Sequence, residues 1–406
     1  MYAQLLRGRI EKMKKLETIK EVLERAVDKI YPSKQALETV LNGGRKLKIY
    51  LGVDPTGPHL HLGHATNLLV LKRLKNLGHQ IIFLIGDFTG RIGDPSDRLA
   101  ARKPLSEKEV RQNLQTFKKQ ASKIINFAGP NKALVKFNSA WHSKMKFEDI
   151  LKLAQLLTVQ QMSKRDMFQK RLKENRVIGL HEFLYPLMQG YDSVAMNVDM
   201  EIGGTDQTFN MLVGRDLMKV LKHKEKFVLT TKLLENPKTG RKLMNKSEGG
   251  FINLDDEPEN LFGKTMALPD EAIMPVAEFS TEMPWSEVKQ LKNMSPRDAK
   301  LKVASWVVKL CYGEKPAAEA AAKWEKTFSK KELPAKVPTL RIGHKESGIM
   351  GILIKAGVPS KSEARRLIAQ GAVELNGEKK VKPQEKINFQ KGDVLKIGKH
   401  RFFKIA

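Results

Sequence analysis

The chain has 406 residues, a formal net charge of +28, 41% hydrophobic residues and a single cysteine. That length exceeds one ordinary core, so two or three domains are expected. So positive a balance points to a polyanionic partner, nucleic acid above all. Cys311 alone excludes an intrachain disulfide framework and fits a reducing, cytoplasmic compartment. No apolar run reaches the length of a membrane span.

The first segment is basic, at Arg7, Arg9, Lys12, Lys14 and Lys15. Glu11, Glu17, Glu21 and Glu24 argue against a transit peptide, which is poor in acids. Leu6, Ile10, Met13, Leu16, Ile19, Leu23 and Ala26 make one helical stripe instead. A short helix follows Ser33, a cap, and stops at Asn42-Gly43-Gly44.

Leu47 to His64, LKIYLGVDPTGPHLHLGH, is the stretch around which the chain is organised. Leu47, Ile49, Leu51 and Val53 alternate with Lys48, Tyr50 and Gly52, the period of a strand. Asp54 to Pro58 is turn chemistry. The run Leu62–Leu77 has helical spacing, with His61 and His64 in its first turn. A helix N-terminus carries unpaired N–H groups and the positive end of a dipole, so it suits a phosphate. The GxxxxGK[ST] pattern of a P-loop is absent.

Further along, Gln80–Gly86 is a continuous apolar run that reads as a buried parallel strand. Ser106-x-x-Glu109 is a capping box opening a helix expected to reach about Phe127. Ala133–Phe137 reads as a strand, Phe147–Leu157 as a helix, and residues 120–180 as mostly helical. Helical patterns surround Glu182–Ser193 and continue over Gln207–Leu221 after Gly203-Gly204-Thr205-Asp206-Gln207. Lys226–Leu234 reads as a strand, and Glu235–Gly250 as a mobile loop. Alternating strands and helices imply a doubly wound α/β sheet with ligands at the carboxyl ends of its strands. Asp54, Thr56, His61 and Asp94 fall at or just beyond such ends.

Glu257 to Phe328 is all helical in pattern, with Ser295-Pro296 as a helix start. Ser329–Pro338 reads as a linker. Residues 341–406 hold 15 Lys and Arg against 6 Asp and Glu, a net of +9. That is about a third of the excess in about a sixth of the chain, the electrostatic footprint of a nucleic-acid module. The alternations in GAVELNGEKK and VLKIG are folded-strand patterns, which a solvated basic tail lacks.

His61-Leu62-Gly63-His64 after Asp54-Pro55-Thr56-Gly57 resembles the HIGH signature of class I aminoacyl-tRNA synthetases. Leu243-Met244-Asn245-Lys246-Ser247 resembles their KMSKS signature, with Leu243 and Asn245 departing from it and Lys242 one position early. With Gly93-Asp94-Pro95-Ser96, Tyr185–Asp192, Gly203–Gln207 and the tail, the whole chain resembles the bacterial-type tyrosyl-tRNA synthetases. The resemblance implies a Rossmann-like catalytic domain over residues 1–235, with a helical dimerisation insertion at about 120–180. A loop at 236–250, a helical anticodon-binding domain at 251–328, a linker at 329–342 and a small α+β RNA-binding domain at 343–406 would follow.

It also implies tyrosine and ATP as substrates, tRNA as partner, a homodimer and no membrane association. Thr56, His61, His64, Lys246 and Ser247 would be catalytic. No nucleophile is needed: the task is to stabilise an α-phosphate as pyrophosphate leaves. ATP would meet Asp54, His61, His64, Gly204, Asp206 and Lys246. The substrate phenol would lie between Tyr50 and Asp192, as donor and acceptor. Asp94, Tyr185 and Gln189 would cradle the ammonium, and Gln207 the carboxylate. Tyr185, Gln189 and Asp192 share a helical face, and Leu184 and Leu187 beside them argue against an exposed polar stripe. Lys361, Arg365 and Arg366 would meet the tRNA backbone. Magnesium arrives with ATP, and no CxxC, HExxH or carboxylate cluster indicates a structural metal. The alternatives are a tryptophanyl enzyme and an RNA-binding or splicing relative that has lost catalysis, for which the altered LMNKS is the sole support.

Overall fold

The structure, a computed structural model, describes residues 16–96, 105–245, 250–329, 338–340, 348–379, 382, 390, 392–398 and 401–406. Lys246 and Ser247, most of the expected linker, and the stripe positions Leu6, Ile10 and Met13 lie outside the described residues. The chain divides into two compact units, Met1–Ala321 and Ala322–Ala406.

The first unit is built on six strands: β1 Val27–Tyr31, β2 Lys48–Val53, β3 Gln80–Ile85, β4 Leu134–Phe137, β5 Met200–Gly204 and β6 Phe227–Thr231. Their order is β1-β6-β5-β2-β3-β4, with every neighbouring pair parallel except β1–β6. β3 is buried at five of its six positions, as expected of a central strand covered on both faces. β1, VDKIY, is an antiparallel edge strand with one buried, two half-buried and two exposed positions, so the sheet is mixed rather than purely parallel. With Asp28 and Lys29 inside it and one fully buried position, its sequence carries no strand alternation to read.

The chain runs outward through β2, β3 and β4, then returns to lay β5 beside β2. The switch point therefore lies between β2 and β5, where an α/β sheet opens its ligand crevice. Asp54 directly follows β2, and Gly203-Gly204 end β5.

The expected helix to Phe127 is instead two, Glu107–Leu114 and Phe117–Ala121. The break has a purpose visible in its bonds. Gln120 Nε2 donates to the Pro58 carbonyl at 2.8 Å, and Leu60 N–H donates to Gln120 Oε1 at 2.6 Å. Thr116 Oγ1 also donates to Pro58, at 3.1 Å. These side chains satisfy the polar backbone of the Asp54–Leu60 turn, which has no partner strand of its own.

The Leu180–Met196 helix packs on the Thr208–Lys222 helix through facing glycines. A Cβ on Gly190 would stand 3.0 Å from both Leu217 and Val213 and 3.1 Å from the Gly214 nitrogen. Helices continue from Pro258, and Ser295 caps the Pro296–Tyr312 helix by accepting from Asp298 N–H at 3.1 Å.

The second unit holds β7 Thr339–Leu340, β8 Val373–Leu375, β9 Glu378–Lys379, β10 Val394–Ile397 and β11 Arg401–Ile405 in one sheet. Asn376 and Gly377, both at positive φ, close the β8–β9 hairpin. The Ile349–Lys355 and Lys361–Ala369 helices cover the sheet with Ile349, Ile352, Leu353 and Ile368. Lys361, Arg365 and Arg366 all lie exposed on the second of these helices.

Because the Gly190 contact includes backbone that cannot step aside, Gly190→Ala should destabilise the fold by about 1–2 kcal/mol despite alanine's better helix propensity. Chemical denaturation measures it; an unchanged or raised midpoint would show that these helices can part.

Candidate active site

A cavity of about 890 Å³ opens at the switch point. Among the predicted residues, Tyr50, Asp54, Thr56, His61, His64, Asp94, Tyr185, Gln189, Asp192, Gly204, Asp206 and Gln207 all line it. They come from β2 and the turn after it, the start of the Leu62–Asn76 helix, the loop beyond β3, the end of β5 and the turn after it, and one face of the Leu180–Met196 helix.

At the deep end, Asp192 is almost fully buried and collects three donors. His142 Nε2 and Trp141 Nε1 each reach Oδ1 at 2.8 Å, and Asn138 Nδ2 reaches Oδ2 at 3.3 Å. Burial pushes this carboxyl above its ordinary range, and the three donors oppose the shift. Oδ1 is occupied twice, which leaves Oδ2 with the larger spare acceptor capacity. Tyr50, 1% exposed, shares a 3.0 Å hydrogen bond with Ser193 Oγ. Burial, then Glu201 and Asp192, hold its phenol well above its ordinary pKa, so it stays protonated and can donate.

Midway, Tyr185 Oη donates to Asp54 Oδ2 at 2.8 Å, and Thr89 Oγ1 donates to Asp54 Oδ1 at 2.7 Å. Asp94 accepts from Ser96 N–H at 2.9 Å and from Gln207 Nε2 at 2.6 Å. The Gln207 amide nitrogen is thus committed to Asp94, and its oxygen accepts from Asn210 Nδ2 at 3.0 Å. Gln189 accepts from the same Asn210 nitrogen at 3.0 Å and donates to Glu201 Oε1 at 3.1 Å.

At the helix start, His61 is the N-cap and His64 the third helical residue. Gly63 N–H donates to His61 Nδ1 at 3.2 Å, and His61 N–H donates to His64 Nδ1 at 3.0 Å. Both Nδ1 atoms being acceptors, each ring carries its proton on Nε2. Desolvation lowers His61 to about 2, helped by His64 and Lys242, and lowers His64 to about 4. Both are neutral donors at physiological pH. Residues just past the second signature back this turn: Leu62 N–H donates to the Ile252 carbonyl at 3.0 Å, and Leu254 N–H to the Leu60 carbonyl at 2.8 Å.

The segment expected to be a mobile loop is partly anchored. Leu243 is fully buried and bonds through its N–H to the Leu234 carbonyl at 2.8 Å. Lys242 pairs with Asp206 at 2.8 Å, the carboxylate expected to meet ribose hydroxyls. Leu243 in the place of a signature lysine is therefore a packing residue.

Several participants carried no signal in the sequence. Asn138, Trp141 and His142 follow β4, about 50 residues before the carboxylate they hold. Glu201 of β5 and Lys226, the residue before β6, form a buried ion pair, 25 positions apart. Only a polar residue inside an apolar strand, as Glu201 is, hints at such a partner. Among the described residues no group of three or more His, Cys, Asp or Glu could hold a metal ion.

A switch-point crevice with two neutral histidines at a helix start, a deep carboxylate and a flanking second signature defines a class I aminoacyl-tRNA synthetase. The family model for class I tRNA synthetases (W and Y) matches residues 42–329, and the tyrosine–tRNA ligase SYY-like C-terminal domain matches residues 330–405. The chain is 39% identical to a tyrosine–tRNA ligase of Moorella thermoacetica, covering 95% of this chain and 94% of that one. It is 40% identical to one of Haemophilus influenzae, covering 97% and 98%. In fold it is similar to a C-terminally truncated mitochondrial tyrosyl-tRNA synthetase of Aspergillus nidulans, with a TM-score of 0.65 at 21% identity over 79% of this chain and all of that one. The chain belongs to the tyrosine–tRNA ligase family, and its activity is that of an aminoacyl-tRNA ligase. The tyrosine-specific tail decides against the tryptophanyl alternative.

Asp54 gives a pH signature. Desolvation raises it to about 7, against the bonds from Thr89 and Tyr185. A carboxyl raised in the folded state stabilises the fold fully below its unfolded pKa, and that contribution is lost as pH rises through the folded value. Stability of the parent should therefore fall more steeply than that of Asp54→Asn between about pH 4 and 7, read by denaturation along a pH series. Parallel curves would place Asp54 in an ordinary solvated state.

Proposed function

We propose that the residues gathered in this cavity divide the tyrosine–tRNA ligase reaction among themselves as follows. Tyr50 donates to the phenolic oxygen of L-tyrosine, and Asp192 Oδ2 accepts the hydrogen bond from its O–H. The three donors already fixed on Asp192 support that reading, because they hold the carboxylate in one orientation. Asp94, Tyr185 and Gln189 receive the ammonium, and Gln207 lies at the carboxylate.

A carboxylate oxygen of tyrosine attacks the α-phosphorus of ATP. The bond from that phosphorus to the bridging oxygen breaks, and pyrophosphate leaves. Thr56 and the Nε2–H groups of His61 and His64 face the charge that develops there. Neutral imidazoles suit this task, since they donate at any pH where the enzyme works. Gly204 lets the nucleotide approach β5 closely, and Asp206 meets the ribose once Lys242 releases it. Lys246 and Ser247 complete the phosphate site in the resembled signature. Magnesium enters on the ATP phosphates. A ribose hydroxyl at the tRNA 3′ end then attacks the tyrosyl carbonyl, and AMP leaves.

The helices over 251–328 take the anticodon region, and the tail binds RNA. The exposed Lys361, Arg365 and Arg366 on a folded helix support the second assignment. A homodimer joined through about 120–180 is supported by Phe147, Val159, Val177 and Leu180, which are 72–80% exposed. Action in the cytoplasm is supported by the lone, buried Cys311. No helix among the described residues is long and apolar enough to cross a membrane.

Asp192→Asn replaces a charged acceptor by a neutral one. It should narrow the preference for tyrosine over phenylalanine in pyrophosphate exchange by about 10- to 100-fold. Unchanged selectivity with unchanged tyrosine affinity would remove Asp192 from the phenol. Replacing Lys361, Arg365 and Arg366 by alanine in the full chain should leave pyrophosphate exchange alone and raise KM for tRNA. The log–log salt slope of tRNA binding should flatten by roughly 0.7–0.9 for each phosphate no longer neutralised. An unchanged slope would take these three residues off the RNA.

A further inference from the structure

Beneath the cavity floor lies a charge that the chemistry above does not use. Lys226 is fully buried, and its ammonium pairs with Glu201, 2% exposed, on the neighbouring strand. It donates to Ser193 Oγ at 2.8 Å. It also sits 5.9 Å from the centre of the Tyr50 ring. Gly214 makes room for it: a Cβ there would come within 2.6 Å of Nζ and 3.0 Å of Ser193 Oγ. An ammonium is a donor only, so it dictates the direction of every bond that leaves it.

Two chains of bonds start at this point. In the first, Ser193 accepts from Lys226, which leaves the serine proton for Tyr50 Oη at 3.0 Å in preference to Glu201 at 3.5 Å. Tyr50 then accepts from Ser193, and its own proton is the one left to donate, toward Glu201 in this structure and toward a ligand oxygen in the pocket. In the second, Glu201 is held as an acceptor. It takes the Gln189 amide nitrogen at 3.1 Å, which turns the Gln189 oxygen to the opposite side. That oxygen accepts from Asn210 at 3.0 Å and has a second lone pair for a cation. One buried ammonium thus orients a donor at the phenol end and an acceptor at the ammonium end, on residues that both line the cavity.

We propose that Lys226 is a positioning residue for the amino-acid substrate, fixing through Ser193 and Glu201 the hydrogen-bond directions by which Tyr50 and Gln189 recognise tyrosine. This rests on the assignment of Tyr50 and Gln189 to the substrate made above. Asp206, the histidine turn and the ATP end lie outside both chains of bonds, so the effect is confined to tyrosine.

The test is pyrophosphate exchange on the full chain, with melting temperature recorded beside it. Lys226→Met should raise KM for tyrosine about tenfold or more, with KM for ATP within about twofold. It also leaves Glu201 buried without its partner and lowers the melting temperature. The double variant Lys226→Met/Glu201→Gln removes both charges. It should recover the melting temperature while KM for tyrosine stays raised, and it carries the test alone if the single variant does not fold. A native tyrosine KM in Lys226→Met, or one that recovers with the melting temperature in the double variant, would make the pair purely structural and overturn the proposal. Gln189→Ala separates the two levels: with a native tyrosine KM it overturns the pocket assignment and this inference with it. If Gln189→Ala raises KM and neither Lys226 variant does, the inference alone fails.

Discussion

Lys226, the residue before β6, and Glu201 of β5 pair with almost no access to water. Neither charge could lie there alone, because an unpaired ion in so dry a place costs several kcal/mol. A pair of apolar residues would fill the same space without that penalty. The pair stands where the Leu180–Met196 helix crosses the sheet, bonded through Ser193 and Gln189 to two parts of the cavity wall. The crossing helix brings Ser193 and Gln189, and the facing helix brings Gly214 and Asn210. In the proposed assignment, selectivity is built below the pocket, by settling which atoms donate before any ligand arrives.

The ATP end follows a different constraint. Both histidines there are neutral, and their tautomers are set by backbone N–H groups within their own turn. That turn is itself held from two sides. Gln120 satisfies the backbone at Pro58 and Leu60, and the strand-like contact with residues 252–254 closes the other flank. The histidine turn and the segment just past the second signature are therefore joined through main chain, while Lys242 is a side-chain contact on Asp206.

The sequence showed much of this and missed the rest for identifiable reasons. β2, β3 and the histidine helix were legible because they are apolar runs bounded by turn residues, although β2 buries Tyr50 beside Ile49 and Leu51 rather than on one alternating face. Ser33, Ser106 and Ser295 were legible as caps because capping is local, and each accepts from the N–H expected of it. β1 was missed because an edge strand of VDKIY has no alternation to show. The single helix after Ser106 was overextended because nothing local reveals that Gln120 must turn back to Pro58. Every cavity-lining position assigned on resemblance among the described residues lies at the cavity. The partners that orient them do not belong to any signature: Trp141, His142 and Lys226 are far from Asp192 and Glu201 in sequence, and Asn210 and Glu201, though nearer their partners, lie outside the matched motifs.

In the proposed site, buried, pre-directed hydrogen bonds read a phenolic hydroxyl as well as an amino acid. Pyrophosphate exchange by the unmodified enzyme with tyrosine, phenylalanine and tryptophan in turn tests it most directly. The account predicts exchange with tyrosine, and kcat/KM for phenylalanine lower by at least about a hundredfold, because the analogue leaves Tyr50 and Asp192 unpaired. Exchange with phenylalanine within about tenfold of tyrosine would mean that those two groups are satisfied some other way, and would contradict it.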